Sequence, residues 1–249
     1  MADASYHRLL AEFRKCDNFD AVFRGALEDV AGKVDFSQVE SCVAFGTGSG
    51  EHEMEFARRL LPNLRSFVAV EPDPESVKAL RASFQDGQLP GVETSVVEAS
   101  IESWNGVDNH RVDAAMLINV LCHVNAADRK ALFQKLMTQY LRDGGMVVVC
   151  NNVSSVPSGT VLVMERLGTP SADYDQYEKE LLAAGFRLVL KQNLEIRRDW
   201  ANPSDGVVKF IRMRIDNRFS ESEIRAVIDD VFSQPNMDVA LSKLAIFTK

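Results

Sequence analysis

Val43-Ala44-Phe45-Gly46-Thr47-Gly48-Ser49-Gly50-Glu51 is the stretch that decides the fold. Val43 to Phe45 read as the end of a buried strand, three alternating glycines follow, and a helical pattern begins at Glu51. Glycine is needed there because the chain must turn sharply and bring bare backbone against a ligand, an approach that a Cβ blocks. Val68-Ala69-Val70-Glu71 adds weight: it is a second apolar strand, ending in a carboxylate one helix later. A glycine loop facing a strand-end acid makes a place for a nucleoside, with the acid accepting hydrogen bonds from ribose hydroxyls.

Outward from the loop the pattern alternates. The spacing predicts a strand over 41–46, a helix carrying Met54, Ala57 and Leu61, and a strand over 66–71. Asp73 then reads as an N-cap with Pro74 at the first helical position. A third strand alternates at Val92, Thr94 and Val96, and a fourth spans Val112 to Ile118. A helix is expected from about Asp128 to Leu141, and Gly144-Gly145 opens a fifth strand from Met146 to Cys150. Strand and helix in this order call for a parallel sheet with helices on both faces. Upstream, residues 5–16 and 19–30 are amphipathic helices, read as covering a sheet edge in preference to lidding the crevice. Downstream, a short helix over 161–167 and a helix over 173–184 are expected, then strands to Leu190 and from Leu194 to Arg198. A helical tract over 207–233 and a last strand from Leu241 to Thr248 complete the pattern.

The 249 residues, 46% of them hydrophobic, suffice for one large domain with a full core. No apolar run is long enough to span a bilayer, and the N-terminal residues lack a signal-peptide core, so a cytoplasmic, monomeric protein is expected. A formal net charge of −8 argues against a nucleic-acid surface and toward a small-molecule partner. Cys16, Cys42, Cys122 and Cys150 lack paired spacing and read as reduced thiols. His7, His52 and His110 show no metal-ligand spacing, and no metal is assigned.

Five of these stretches, in order, resemble the class I S-adenosylmethionine-dependent methyltransferases. They are Phe45 to Gly50, Val70-Glu71, Val112 to Val124, Leu141 to Val149, and Leu181-Leu182-Ala183-Ala184-Gly185-Phe186. The resemblance implies a Rossmann-like, doubly wound α/β fold with a seven-stranded, mostly parallel sheet, the last strand antiparallel between the fifth and sixth. It divides a single methyltransferase domain into an N-terminal helical cap (1–40), a cofactor-binding core (41–190) and substrate-side elements with the last strand (191–249). The cofactor it implies is S-adenosyl-L-methionine, held by Gly46, Gly48, Gly50, Glu71, Ser76, Ser100, Ile101 and Ile118.

Gly50-Glu51, Glu53, Val70-Glu71-Pro72 and Ile118 to Val124 are further similar to histamine N-methyltransferase and its relatives. That resemblance places Asn119 and His123 at the catalytic side and Lys15, Cys122 and Trp200 at the substrate. Lys15 stands where those enzymes carry an acid, and Ala240 where they carry an asparagine, which points away from histamine and toward an acceptor bearing a carboxylate. Each residue also has an ordinary structural reading. Glu71 can be a solvated strand-end acid, Ile118 plain core, Lys15 a solvated helix residue and Trp200 a packed loop anchor. The implied reaction is transfer of a methyl group to a nitrogen of an imidazole, amine or amino-acid type molecule, with His123 accepting a proton or orienting the acceptor. O-methylation of a small hydroxyl compound is the runner-up. A cofactor-binding partner subunit and a nicotinamide dehydrogenase are the rivals from other classes.

Overall fold

Strands that must be covered on both faces are apolar at nearly every position, and four segments here meet that condition, the last of them only from Met146 to Cys150. In the computed structural model, which describes residues 6–106, 111–169, 173–198, 200, 203–215 and 218–249, they are β1 (Ser41–Phe45), β2 (Ser66–Glu71), β4 (Val112–Ile118) and β5 (Leu141–Asn152). With β3 (Glu93–Glu98), β6 (Arg187–Arg197) and β7 (Val239–Thr248) they form one sheet of order β3-β2-β1-β4-β5-β7-β6. β1 pairs in parallel with both β2 and β4, while β7 runs antiparallel between β5 and β6. This is the seven-stranded topology expected from the sequence.

Alternation along β1 sends Cys42 and Ala44 to one layer and Val43 and Phe45 to the other. On the first face lie α2 (Phe19–Ala31), α3 (Glu51–Leu60) and α4 (Pro74–Gln85), contributing Phe23, Leu27, Phe56 and Leu80. On the second lie α5 (Ala126–Lys135) and α7 (Tyr174–Ala183), with Phe133, Tyr174 and Leu181. A third cluster has no strand residue: α6 (Gly159–Arg166), α8 (Asp205–Arg214) and α9 (Glu221–Phe232) pack with Trp200 and take Phe13 of α1 (Tyr6–Arg14) against them.

Several boundaries move, for local reasons. The helix expected from Asp128 starts at Ala126, because Asn125 caps it by accepting from the N–H groups of Ala127 and Asp128. It ends in one π-helical turn (Leu136–Tyr140), and β5 starts at Leu141, before the glycine pair, with a register irregularity opposite Val112 and Ala114. The two short strands near 188 and 196 are one strand, β6, irregular between Leu188 and Leu190 and paired along β7. The helical tract over 207–233 is two helices, each with its own serine cap: Ser204 for α8 and Ser220, in a capping box with Glu223, for α9. The N-terminal helices also differ from one another. α2 lies on the sheet layer as expected, but α1 packs on α8 and turns Leu10, Phe13 and Arg14 toward a cavity.

One ion pair ties α5 to α7. Arg129 donates to both carboxylate oxygens of Glu180 at 2.8 and 2.9 Å while its guanidinium lies over the Tyr177 ring. Burial raises the pKa of Glu180, but hydrogen bonds from Arg129 and Gln176 outweigh it and the net shift is downward. The stabilisation is therefore present above the unfolded pKa and is lost as pH falls through the folded one. Glu180→Gln is expected to cost about 1–3 kcal/mol in urea unfolding at pH 7, because it leaves a half-buried guanidinium short of its partner. The difference from the unsubstituted protein should shrink toward pH 3; a constant difference across that range would contradict the assignment.

Candidate active site

The order of the sheet reverses between β1 and β4, and the crevice at such a point opens beyond the carboxyl ends of the strands. The glycine loop leaves β1 there. Gly46, Gly48 and Gly50 all have positive φ, of 57°, 55° and 77°. They need glycine for different reasons. A Cβ on Gly46 would sit 2.2 Å from Val120 Cγ2, so this glycine is required for packing; a Cβ on Gly48 would meet nothing within 4 Å, so the backbone there faces open space. Gly50 is the left-handed N-cap of α3, and its Cβ would meet Leu80.

Glu71 ends β2, nearly fully buried, and reaches back to the loop. Its Oε2 accepts from Gly48 N–H at 2.8 Å and its Oε1 from Asp73 N–H at 3.0 Å. Asp73 in turn caps α4 by accepting from Ser76 N–H. Buried hydrogen bonds thus join the loop, the end of β2 and the start of α4 into one rigid rim.

Above the rim lies a cavity of about 660 Å³. Gly46, Gly48, Glu71, Ser100, Ile101, Ile118, Asn119, Cys122, His123 and Trp200 all line it, as does Ala240. Three residues singled out from the sequence do not. Gly50 is turned into the helix cap, and Ser76 is spent on the start of α4. Lys15 is exposed and pairs with Glu12 at 2.6 Å. Leu10, Phe13 and Arg14, spaced i, i+3 and i+4, form the inward face of α1, and position 15 falls off that face. The cation at this wall is therefore Arg14, not Lys15.

Asn119 follows β4 with φ 55°, a left-handed conformation that asparagine tolerates better than most residues, and its N–H donates to Cys150 O at 2.8 Å. His123 sits at the cavity rim with Nε2 3.0 Å from Arg214 Nη1. A guanidinium only donates, so Nε2 is the acceptor and the ring is the neutral tautomer with its proton on Nδ1. The enclosing protein first and the Arg214 charge second lower the His123 pKa to about 4. Trp200 proves to be wall and anchor together: it lines the cavity, packs on Phe13 and Phe232 at 5.4 and 5.6 Å, and buries an Nε1–H that has no acceptor among the described residues.

Further lining residues escaped the sequence reading. Glu53, on the first turn of α3, is 2% exposed, and burial raises its pKa to about 8. Arg14 acts on it through its charge. The available signal was spacing: Glu53, Phe56, Ala57 and Leu60 share one face, so an acid stands on an apolar stripe. Arg198, almost fully buried, donates to Asp17 at 3.4 Å, Thr160 at 2.9 Å and Asn152 at 3.3 Å. Among the described residues no group of three or more His, Cys, Asp or Glu is arranged to hold a metal ion; His52 meets Asp20 at 2.8 Å, and His110 lies outside the described residues.

Residues 43–145 match a family described as a methyltransferase domain. No curated protein sequence matches the chain. Among solved structures, a candidate methyltransferase of Bacillus halodurans C-125 is 15% identical and superposes with a TM-score of 0.64, covering 91% of this chain and 98% of that one. A cyclopropane synthase of Mycobacterium tuberculosis is 14% identical at a TM-score of 0.60, with 90% and 83% covered. Geranyl diphosphate methyltransferase in complex with SAM is 14% identical at 0.57, with 98% and 89% covered. At these identities the likeness is one of fold.

Sheet order and antiparallel β7 define the Rossmann-like fold that methyltransferases share, and the matched residues run from the glycine-loop strand to the glycine pair of β5. S-adenosylmethionine is the group that the glycine loop and strand-end acid imply, and the cavity passes a test of fit for it. Open space stands where Gly48 has no Cβ, an acid is buried at the end of β2, and Thr47 Oγ1 and Asn151 Nδ2 are buried at the wall without hydrogen-bond partners. Among the described residues no helix is long and apolar enough to cross a membrane.

The His123 geometry can be checked directly. In an NMR titration its ring protons are expected to move with a midpoint well below 6.5, and Arg214→Gln is expected to raise that midpoint part of the way, because the surrounding protein remains. A midpoint at 6.5 in both proteins would contradict the contact.

Proposed function

We propose that the chain transfers a methyl group from S-adenosylmethionine to a nitrogen of a small molecule. The observation that supports nitrogen is the absence, among the described cavity residues near Asn119, of a side chain suited to take a proton at neutral pH. His123 Nε2 is occupied by Arg214, its pKa lies near 4, and burial raises the Cys122 thiol pKa. An imidazole or neutral amine brings its own lone pair, whereas a hydroxyl has to lose a proton as it reacts. Bound in the cavity, the cofactor supplies a methyl group made electrophilic by a sulfonium.

The protein's own part is alignment and exclusion of water. Gly46 and Gly48 offer backbone at the loop, and Glu71 offers the carboxylate for ribose hydroxyls. Ser100, Ile101 and Ile118 wall the adenosine. Arg14 and Glu53, coupled through their charges, suit the amino-acid end of the cofactor. Asn119 and His123 orient the acceptor, His123 as a hydrogen-bond donor through Nδ1 in place of the proton acceptor expected from the sequence. Cys122 and Trp200 complete the wall. Histamine would bring an ammonium toward the Arg214 guanidinium, and an acceptor without that charge fits better.

Gly48→Ala separates this reading from a loop that merely turns. The left-handed backbone costs a Cβ about 1–2 kcal/mol and nothing crowds it, so the variant is expected to fold. Its S-adenosylmethionine affinity, measured by calorimetry, should fall by at least about tenfold, or 1.4 kcal/mol. Gly46→Ala should instead be destabilised, since Val120 must move. Unchanged donor binding in Gly48→Ala, or no labelled methyl appearing on any imidazole, amine or amino acid offered to the unsubstituted protein, would sink the proposal.

A further inference from the structure

Most of the charges around the cavity have partners; among the described residues Glu102 and Arg214 have no opposite charge paired with them. Asp17 pairs with Arg198, Glu71 holds two backbone N–H groups of the rim, Asp73 caps α4, and Arg14 lies within electrostatic reach of Glu53. Arg214 has no such counterpart. Among the described residues its guanidinium meets the neutral His123 ring and the Cys122 thiol, and no carboxylate pairs with it. A half-buried cation with only neutral neighbours pays for incomplete solvation, and an anion arriving from solution relieves that cost.

What lies beside this cation is also specific. Phe210, Ile211 and Arg214 occupy one face of α8 and all line the cavity. The Phe210 ring lies 4.7 Å from that of Phe13, which in turn meets Trp200 edge-on. The result is a packed aromatic wall of the cavity, with the guanidinium one helical turn from Phe210, and Trp200 adds a buried donor without an acceptor among the described residues. Aromatic walls suit a flat ring, and a planar guanidinium fork suits a carboxylate. Glu71, Asp73 and Glu102 line the same cavity and weigh against a doubly charged group such as a phosphate.

We propose that the methyl acceptor is a ring-bearing carboxylic acid, its carboxylate paired with Arg214 and its ring held among Phe13, Trp200 and Phe210. This rests on the assignment of the cavity to methyl transfer. It replaces the exposed Lys15 by a residue that the fold turns inward.

The test uses matched acceptors that share a ring and differ in charge: imidazole-4-acetate against histamine, and anthranilate against 2-aminobenzylamine. Each is titrated calorimetrically into the full chain saturated with S-adenosylmethionine and then assayed with labelled donor. At least one carboxylate is expected to bind about tenfold or more tightly than its cationic partner. Arg214→Gln should abolish that preference with donor affinity unchanged, and Arg214→Glu should reverse it. Thermal unfolding checks that both variants fold, and the charge-reversed variant keeps the test decisive if Arg214→Gln alone is equivocal. Preference for the cationic member, binding of neither carboxylate, or a preference untouched by both substitutions overturns the inference. Failure of the donor itself to bind overturns instead the methyl-transfer reading beneath it.

Discussion

The Glu71 carboxylate, held between the N–H groups of Gly48 and Asp73, is the contact from which the rest of the site takes its position. It joins the loop after β1 to the end of the neighbouring parallel strand, at the one place in the sheet where the crossovers diverge. A carboxylate buried against two backbone donors is fixed in position by them, so the rim stays rigid and presents an acid to a ligand's hydroxyls. Gly48 has to be bare for this contact and for the open space beyond it. Gly46 must be bare because Val120, just past β4, packs against the turn. Loop geometry and the end of β4 are thereby coupled, and Asn119 inherits its position from both.

The second constraint is the helical cap. The third hydrophobic cluster has almost no contact with the sheet through strand residues, so its placement over the crevice depends on a few polar ties. Asp17 and Arg198 are the chief of these, both 6% exposed at their side chains, with a backbone bridge between the same two residues. Burial raises the Asp17 pKa and lowers that of Arg198, each against the pull of the partner. Such a pair contributes little net stability, and its effect lies in position. It fixes the α1–α2 junction to the end of β6, and Arg198 continues to Thr160 on α6 and Asn152 at the end of β5.

Most of the fold was legible because the strands announce themselves locally. Val43 to Phe45, Val68 to Glu71 and Val112 to Ile118 are apolar runs closed by glycine or an acid, and those signals need no knowledge of distant residues. That Gly46, Gly48, Glu71 and Ile118 come together at one cavity was legible for the same reason. The acceptor half was not. Whether residue 14 or 15 enters the cavity depends on the rotation of α1 against α8, a tertiary fact, and one step around the helix moves a side chain by about 100°. Arg214, in the last turn of a helix, reads from sequence as a solvated charge complementing the helix dipole. Glu53 differs from these: it escaped the sequence reading although a local signal was there, an acid in line with Phe56, Ala57 and Leu60.

The cavity thus contains two electrostatic regions of opposite character, set by different parts of the fold. Near the loop, Glu53 and Glu71 come from the parallel core, and Arg14 alone is added by the cap. Near His123, the cation Arg214 comes from α8 in the cap, and the core supplies only Asn119, Cys122 and the histidine. The core, which matches a methyltransferase domain over residues 43–145, sets the chemistry of the glycine-loop end. The cap, built from segments outside the matched residues 43–145, dictates the charge of whatever faces it. Specificity in this arrangement can change by substitution on α1 or α8 without disturbing the hydrogen bonds that hold the glycine loop. The neutral His123 marks the boundary: at the cavity rim it accepts from the cap's arginine through Nε2. Were the ring to protonate, it would confront that arginine with a like charge and lose the hydrogen bond that orients it.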